Sequence, residues 1–116
     1  MSCQVLFHLD WNEVERLNMA LNNISNLLKD PFGQTAEVCV LANGQAVKLF
    51  QKSLAMTTAA RISELHAKGV RFALCANSLA GLNIGRDELV EGCEVVPAGI
   101  VELIRLQQAG FSYVKP

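Results

Sequence analysis

At 116 residues the chain has the length of one domain, residues 1–116, and its 51% apolar content is enough for a real core. Only 18% of residues are charged, the net charge is −1 and no basic cluster appears, which excludes nucleic acid as a partner, because phosphate binding needs clustered Lys and Arg. The apolar runs are far too short for a bilayer, and no basic segment precedes the first of them, so a cytoplasmic protein without membrane contact is expected.

Residues 4–9 read as a first strand, apolar at most positions and ending at His8-Leu9-Asp10. Asn12 and Glu15 have the spacing of a capping box. Val14, Leu17, Leu21, Ile24 and Leu28 then follow at steps of three and four, the apolar stripe of an amphipathic helix that Pro31 and Gly33 end. Residues 36–42 form a second strand. Asn43-Gly44 would suit a hairpin, but the spacing of Ala46, Val47, Leu49 and Phe50 predicts a strand-to-helix turn and a short helix. Thr57 or Thr58 caps a further helix through Ile62 and Leu65, closed by Gly69.

Residues 70–74 are a third strand of β-favouring side chains, delivering Cys75 to the point where the pattern changes. Asn77 and Ser78 are predicted to turn the chain and cap the next helix. A helical turn at residues 86–89 leads to a fourth strand over 92–96, stopped by Pro97. A helix over 99–108 and a last short strand over 111–114 complete the chain. The alternation predicts a three-layer α/β/α domain with a mostly parallel sheet of about five strands, joined by right-handed crossovers.

Parallel strands share one carboxyl edge, where open α/β sheets bind ligands. This edge gathers His8, Asp10, Asn43, Cys75, Asn77, Ser78 and Pro97. A thiol there faces the N–H groups of the following helix, which favour the nucleophilic thiolate. Each residue also has a plain structural role: Cys75 as a small core side chain, His8 as a hydrogen-bonded strand residue, Asp10, Asn43, Asn77 and Ser78 as caps and turns. Cys39 is mid-strand and reads as core, and Cys3 and Cys93 lie at element ends. The cysteines form no CxxC pair and no zinc-type spacing, and a reducing compartment disfavours a disulfide, so no metal or cofactor is expected. Asp10-Trp11-Asn12-Glu13 places carboxylates where a flavodoxin-type phosphate would sit. With few charges to cover the surface, some apolar area is expected to lie between copies of the chain.

Several segments together resemble the DsrE/DsrF-like family. They are Val5-Leu6-Phe7-His8-Leu9-Asp10, the helix through Arg16-Leu17-Asn18-Met19-Ala20-Leu21-Asn22-Asn23, Gly69-Val70-Arg71-Phe72 followed by Cys75-Ala76-Asn77-Ser78-Leu79, Val95-Val96-Pro97-Ala98-Gly99-Ile100-Val101-Glu102-Leu103, and Gly110-Phe111-Ser112-Tyr113-Val114-Lys115-Pro116. The resemblance runs in order over nearly the whole chain and is closest to the small, single-domain branch. It implies a three-layer α/β fold and homo-trimers or hexamers. It also implies a sulfur-carrier role, in which a cysteine accepts sulfane sulfur as a persulfide from a donor protein and hands it to an acceptor protein. That role would fall on Cys75, with His8, Asp10, Asn43, Asn77, Ser78 and Pro97 around it. Residues 80–92 do not match the relay members. The alternative is a non-catalytic homo-oligomer that binds a small ligand or partner protein, with Cys75 only packing.

Overall fold

The computed structural model describes residues 3–116. Five strands, β1 (Gln4–Leu9), β2 (Glu37–Ala42), β3 (Arg71–Cys75), β4 (Cys93–Val96) and β5 (Ser112–Val114), form one sheet in the order β4-β3-β2-β1-β5. Every strand pair is parallel. The helices are α1 (Val14–Lys29), α2 (Ala59–Ala67), α3 (Ala76–Gly81) and α4 (Gly99–Gln108), with 3-10 helices at Gly44–Phe50 and Arg86–Glu88.

The strand order explains the layers. From β1 to β4 the chain steps one way across the sheet, so the crossovers stack on one face. The return from β4 to β5 runs the opposite way past three strands. A connection of constant hand must then use the other face. Val5, Phe7 and Leu9 of β1 accordingly pack with Leu17, Ala20, Leu21 and Ile24 of α1, Ile62 and Leu65 of α2, and Phe50 and Phe72. On the opposite face α4 stands alone, with Leu103 and Leu106 against Leu6, Cys39, Leu41, Ala73 and Val96. Burying each of these leucines stabilises the fold by roughly 1.5–3 kcal/mol.

Local details differ from the sequence reading. Asn12 and Glu15 form no capping box: the N-cap of α1 is Glu13, without a side-chain cap bond, and its carboxylate instead accepts from Arg16 Nε at 3.0 Å. Val14 does not join the buried apolar stripe; it is 48% exposed at the first position of α1. Thr58 takes the N-cap position of α2 but makes no side-chain cap bond. The N-cap of α3 is Cys75 itself, so Asn77 and Ser78 lie in the helix's first turn rather than ahead of it.

Arg71 joins three elements. Its guanidinium donates to Glu94 at 2.7 and 3.2 Å and to Glu102 at 3.1 Å, tying β3 to β4 and to the first turn of α4. These bonds, Glu94's first, hold its pKa above the usual guanidinium value. The clamp fixes the first turn of α4 against the start of β3. Among the described residues no helix is long and apolar enough to cross a membrane.

Candidate functional site

Cys75 ends β3 on the face that α4 covers, in register with Val96 of β4. Its side chain is 5% exposed. Burial alone pushes a thiol up, as it does for Cys39 and Cys93, both raised to about 12 with burial as the first cause. At Cys75 burial also acts upward, but hydrogen bonds outweigh it. The Ser78 hydroxyl and the backbone N–H groups of Gly99, Ser78 and Asn77 lie beside the sulfur, favour its thiolate and hold the thiol below its usual 9.0. All four donors are uncharged groups, so the thiolate is held by oriented dipoles rather than by a cation.

The chain builds this cradle from two turns. Ala76 enters α3 directly after the strand, which places the thiol beside the first turn of the helix. Gly44 N–H donates to Ser78 Oγ at 2.8 Å, filling an acceptor site and leaving the hydroxyl proton for Cys75. Gly44 has φ +58, a left-handed conformation that suits glycine, and it lets the 3-10 helix leave β2 at this angle. On the other side Gly99 opens α4. A Cβ there would lie 3.1 Å from Asn43 Cβ, 3.2 Å from Cys75 Cβ and 3.4 Å from Leu41 Cδ2. Only a residue without a side chain brings its N–H this close to the sulfur without displacing it.

A polar row continues from the thiol across the sheet. Period-two alternation places Asn43 on the face of Leu41, His8 on that of Leu6, and Tyr113, paired with Leu6, on the same face. His8 Nε2 and Asn43 Oδ1 share a hydrogen bond at 2.8 Å. His8 Nδ1 and the Tyr113 hydroxyl share another at 2.6 Å. The row ends at β1 and β5, where the strand order turns back, the place where open α/β sheets form a crevice.

Of the residues singled out in the sequence, the structure brings Cys75, Ser78 and Asn77 together, Asn77 through its backbone N–H while its side chain is exposed. His8 and Asn43 meet each other. Asp10 stands apart, its carboxylate bound to Lys115 Nζ at 2.5 Å, and that bond above all holds it below its usual 3.8. Pro97 is exposed and ends β4; the residue that touches the thiol is Gly99, two positions on. Gly99 lay within the 97–99 stretch that the sequence places at this edge, without a role of its own; Tyr113 was not among the sequence candidates. The Pro97-Ala98-Gly99 entry to a helix was a signal for the first; the β5–β1 register that reveals the second is not visible in the sequence.

A groove of about 690 Å3 lies elsewhere, between α1, β1 and β5, with Cys3, Asn23, Leu27 and Phe32 in its lining. Cys75 does not line it. Among the described residues no group of three or more His, Cys, Asp or Glu is placed to hold a metal ion.

The model of the DsrE/DsrF-like family matches residues 6–116. A solved structure of a protein of unknown function from Methanobacterium thermoautotrophicum, MTH1491, superposes with a TM-score of 0.89 at 30% identity, covering 99% of this chain and 100% of that one. No curated protein matches.

Proposed function

The chain belongs to the DsrE/DsrF-like family, which is linked to sulfur relay, and from that premise we propose that it is a sulfur carrier that accepts sulfane sulfur on Cys75. The observation that carries this reading is the contrast among its thiols: Cys39 and Cys93 are pushed up to about 12 by burial, while Cys75, 5% exposed, is held below the ordinary value with Ser78, Asn77 and Gly99 beside it. Such a contrast is expected of a reactive cysteine rather than a packing one.

The step is a displacement. The Cys75 thiolate attacks the outer sulfur of a donor persulfide R–S–SH. The donor S–S bond breaks, R–S⁻ leaves, and Cys75 carries the –S–SH group. The leaving thiolate takes up the proton, and no oxidant or reductant is consumed. The neutral donors stabilise the attacking thiolate, and Gly99 keeps space beside the sulfur clear. The supporting residues are Ser78 and Asn77 at the sulfur, Asn43 and His8 beside it, with Asp10 bracing the rim through Lys115 and Pro97 ending the strand. The thiol lies at the carboxyl edge of the sheet rather than in the groove between α1, β1 and β5, which suits a sulfur handed over by a donor protein and passed to an acceptor protein.

Homo-oligomerisation is part of the proposal. The outer side of α4 shows Ile100, Val101 and Ile104, the first 61% exposed, as an apolar stripe starting one residue from Gly99. The near-complete burial of Cys75 favours a second reading, a non-catalytic binding protein in which the thiol only packs. Intact-protein mass after exposure to a sulfane donor separates the two. The carrier gains sulfur and Cys75→Ser does not. Absence of uptake, or uptake retained by Cys75→Ser, rules the carrier out.

A further inference from the structure

β5 is the least buried strand of the sheet. It has three residues and one neighbour, β1; Ser112 and Tyr113 are exposed and Val114 is half-buried. β1 beside it is the reverse, with Val5, Leu6 and Phe7 all buried. At its root the segment leaves α4 through Gly110, whose φ of +101 suits glycine. Gly110 N–H donates to the Gln107 carbonyl at 3.1 Å and Phe111 N–H to that of Leu106 at 3.0 Å, the bond pair that closes a helix on a left-handed residue. Beyond Phe111 the hold is mostly polar. The Tyr113 hydroxyl and His8 Nδ1 lie 2.6 Å apart, Lys115 Nζ donates to Asp10 Oδ1 at 2.5 Å, and Arg16 Nη1 donates to the backbone oxygen of Pro116 at 3.1 Å. Lys115 and Asp10 are each about one-third exposed, so water competes for that pair.

The backbone of β1 records which of its groups depend on this segment. Successive residues of a strand turn their N–H and C=O groups to opposite neighbours. The Cys3 carbonyl accepts from Glu37 N–H at 2.8 Å and the Leu9 carbonyl from Asn43 N–H at 3.1 Å, so the odd-numbered residues of β1 face β2. Leu6 and His8 therefore face β5. Leu6 is 0% exposed, and its N–H is shielded on that side by β5 alone. Phe7, next in the chain, has its N–H in the ladder with β2.

We infer that residues 112–116 form a strap that opens separately from the rest of the sheet, pivoting after Phe111, and that its closed form caps the backbone edge of β1. Opening breaks one short ladder and three polar contacts, and Val114 is the one apolar side chain of the strap that packs on the core. Parting β1 from β2 instead would break a six-residue ladder and split both core layers. Segments with so few buried contacts open at a lower free energy than the whole fold. An open strap bares the N–H and C=O groups of Leu6 and His8 on a strand that is otherwise apolar, the kind of free edge on which other chains pair. The contacts at His8, Asp10 and Arg16 set how often that edge is bared.

The test is amide hydrogen exchange of the full-length protein, read residue by residue by NMR at several low urea concentrations. Leu6 N–H should be protected about tenfold or more weakly than Phe7 N–H, although the two are neighbours in one strand. Its exchange should depend little on urea, since opening the strap exposes little surface, while that of Phe7 should follow the steep slope of global unfolding. Lys115→Ala, which weakens the closed state, should lower protection at Leu6 by up to about fivefold. Ile62→Val, in the α2 layer on the far side of α1 from β5, should lower protection at Phe7 and Leu74 by about two- to twelvefold and leave Leu6 unchanged. That separation is what independent opening requires. Equal protection and equal urea slopes at Leu6 and Phe7, or an Ile62→Val variant that loses as much at Leu6 as at Phe7, would mean that β5 leaves only when the whole sheet unfolds, and would overturn the strap.

Discussion

Removing the Ser78 hydroxyl tests the thiolate cradle at its strongest point. In Ser78→Ala the thiol loses the largest of the contributions that lower it, while burial and the three backbone N–H donors remain. Gly44 N–H loses its acceptor too, but Gly44 is exposed and water replaces the bond. A hydrogen bond to a charged group contributes about 1.5–3 kcal/mol, so the Cys75 pKa should rise by about one to two units. The rate does not fall in proportion. For a one-unit rise the thiolate fraction at low pH drops about tenfold, while the more basic thiolate is about threefold more nucleophilic. The net loss is about three- to fourfold per unit at pH below both values. Above both values the variant should be about threefold faster. Stopped-flow alkylation across pH, with Cys75 assigned by peptide mass, should therefore give two profiles that cross. The stability consequence has a definite sign. A folded-state pKa below the unfolded value adds stability as pH rises through the folded pKa, complete above 9.0, and the variant loses part of it. Profiles that superpose, or a variant slower at every pH, would refute the cradle.

Other perturbations follow from the same geometry. Gly99→Ala forces a Cβ to within 3.1–3.4 Å of Asn43, Cys75 and Leu41, and should lower stability by about 1–3 kcal/mol in urea unfolding and slow Cys75 alkylation at neutral pH. Leu6→Ala, in the layer that α4 alone covers, should cost about 2–5 kcal/mol by the same measurement. The Asp10–Lys115 pair stabilises above the ordinary carboxylate value of 3.8 and is lost as pH falls through the depressed folded value; with both partners about one-third exposed, Lys115→Ala should cost only ~0.2–1 kcal/mol, and none of it below that value. In the native protein at neutral pH, Cys39 and Cys93 should stay unalkylated while Cys75 reacts, as differential labelling and peptide mass will show.

The elements written in side-chain periodicity were legible in the sequence. The bounds of β1 and α4 match the reading, because an apolar strand between polar ends and a helix between Pro97 and Gly110 are local facts. The position of Cys75 at a strand's carboxyl end was equally local. What local pattern missed was cooperation between distant turns. Ser78 read as a cap, since serine before a helix bonds its own backbone; the cap position is taken by Cys75, which turns the hydroxyl toward sulfur instead. The Asn12 box failed because the chain enters α1 one residue later, at Glu13, where Arg16 already occupies the carboxylate. Tyr113 reached His8 only through the β5–β1 register, and that pairing depends on a crossover past three strands.

The claim at the centre of this account is that the buried thiol ending β3 is held ready as a nucleophile. The most direct measurement is the pH titration of thiolate absorbance, taken as the difference between the wild type and Cys75→Ser. The account predicts one thiol titrating below 9.0 in the difference curve, with Cys39 and Cys93 silent until far higher pH. A difference curve with its midpoint at or above 9.0 would contradict it.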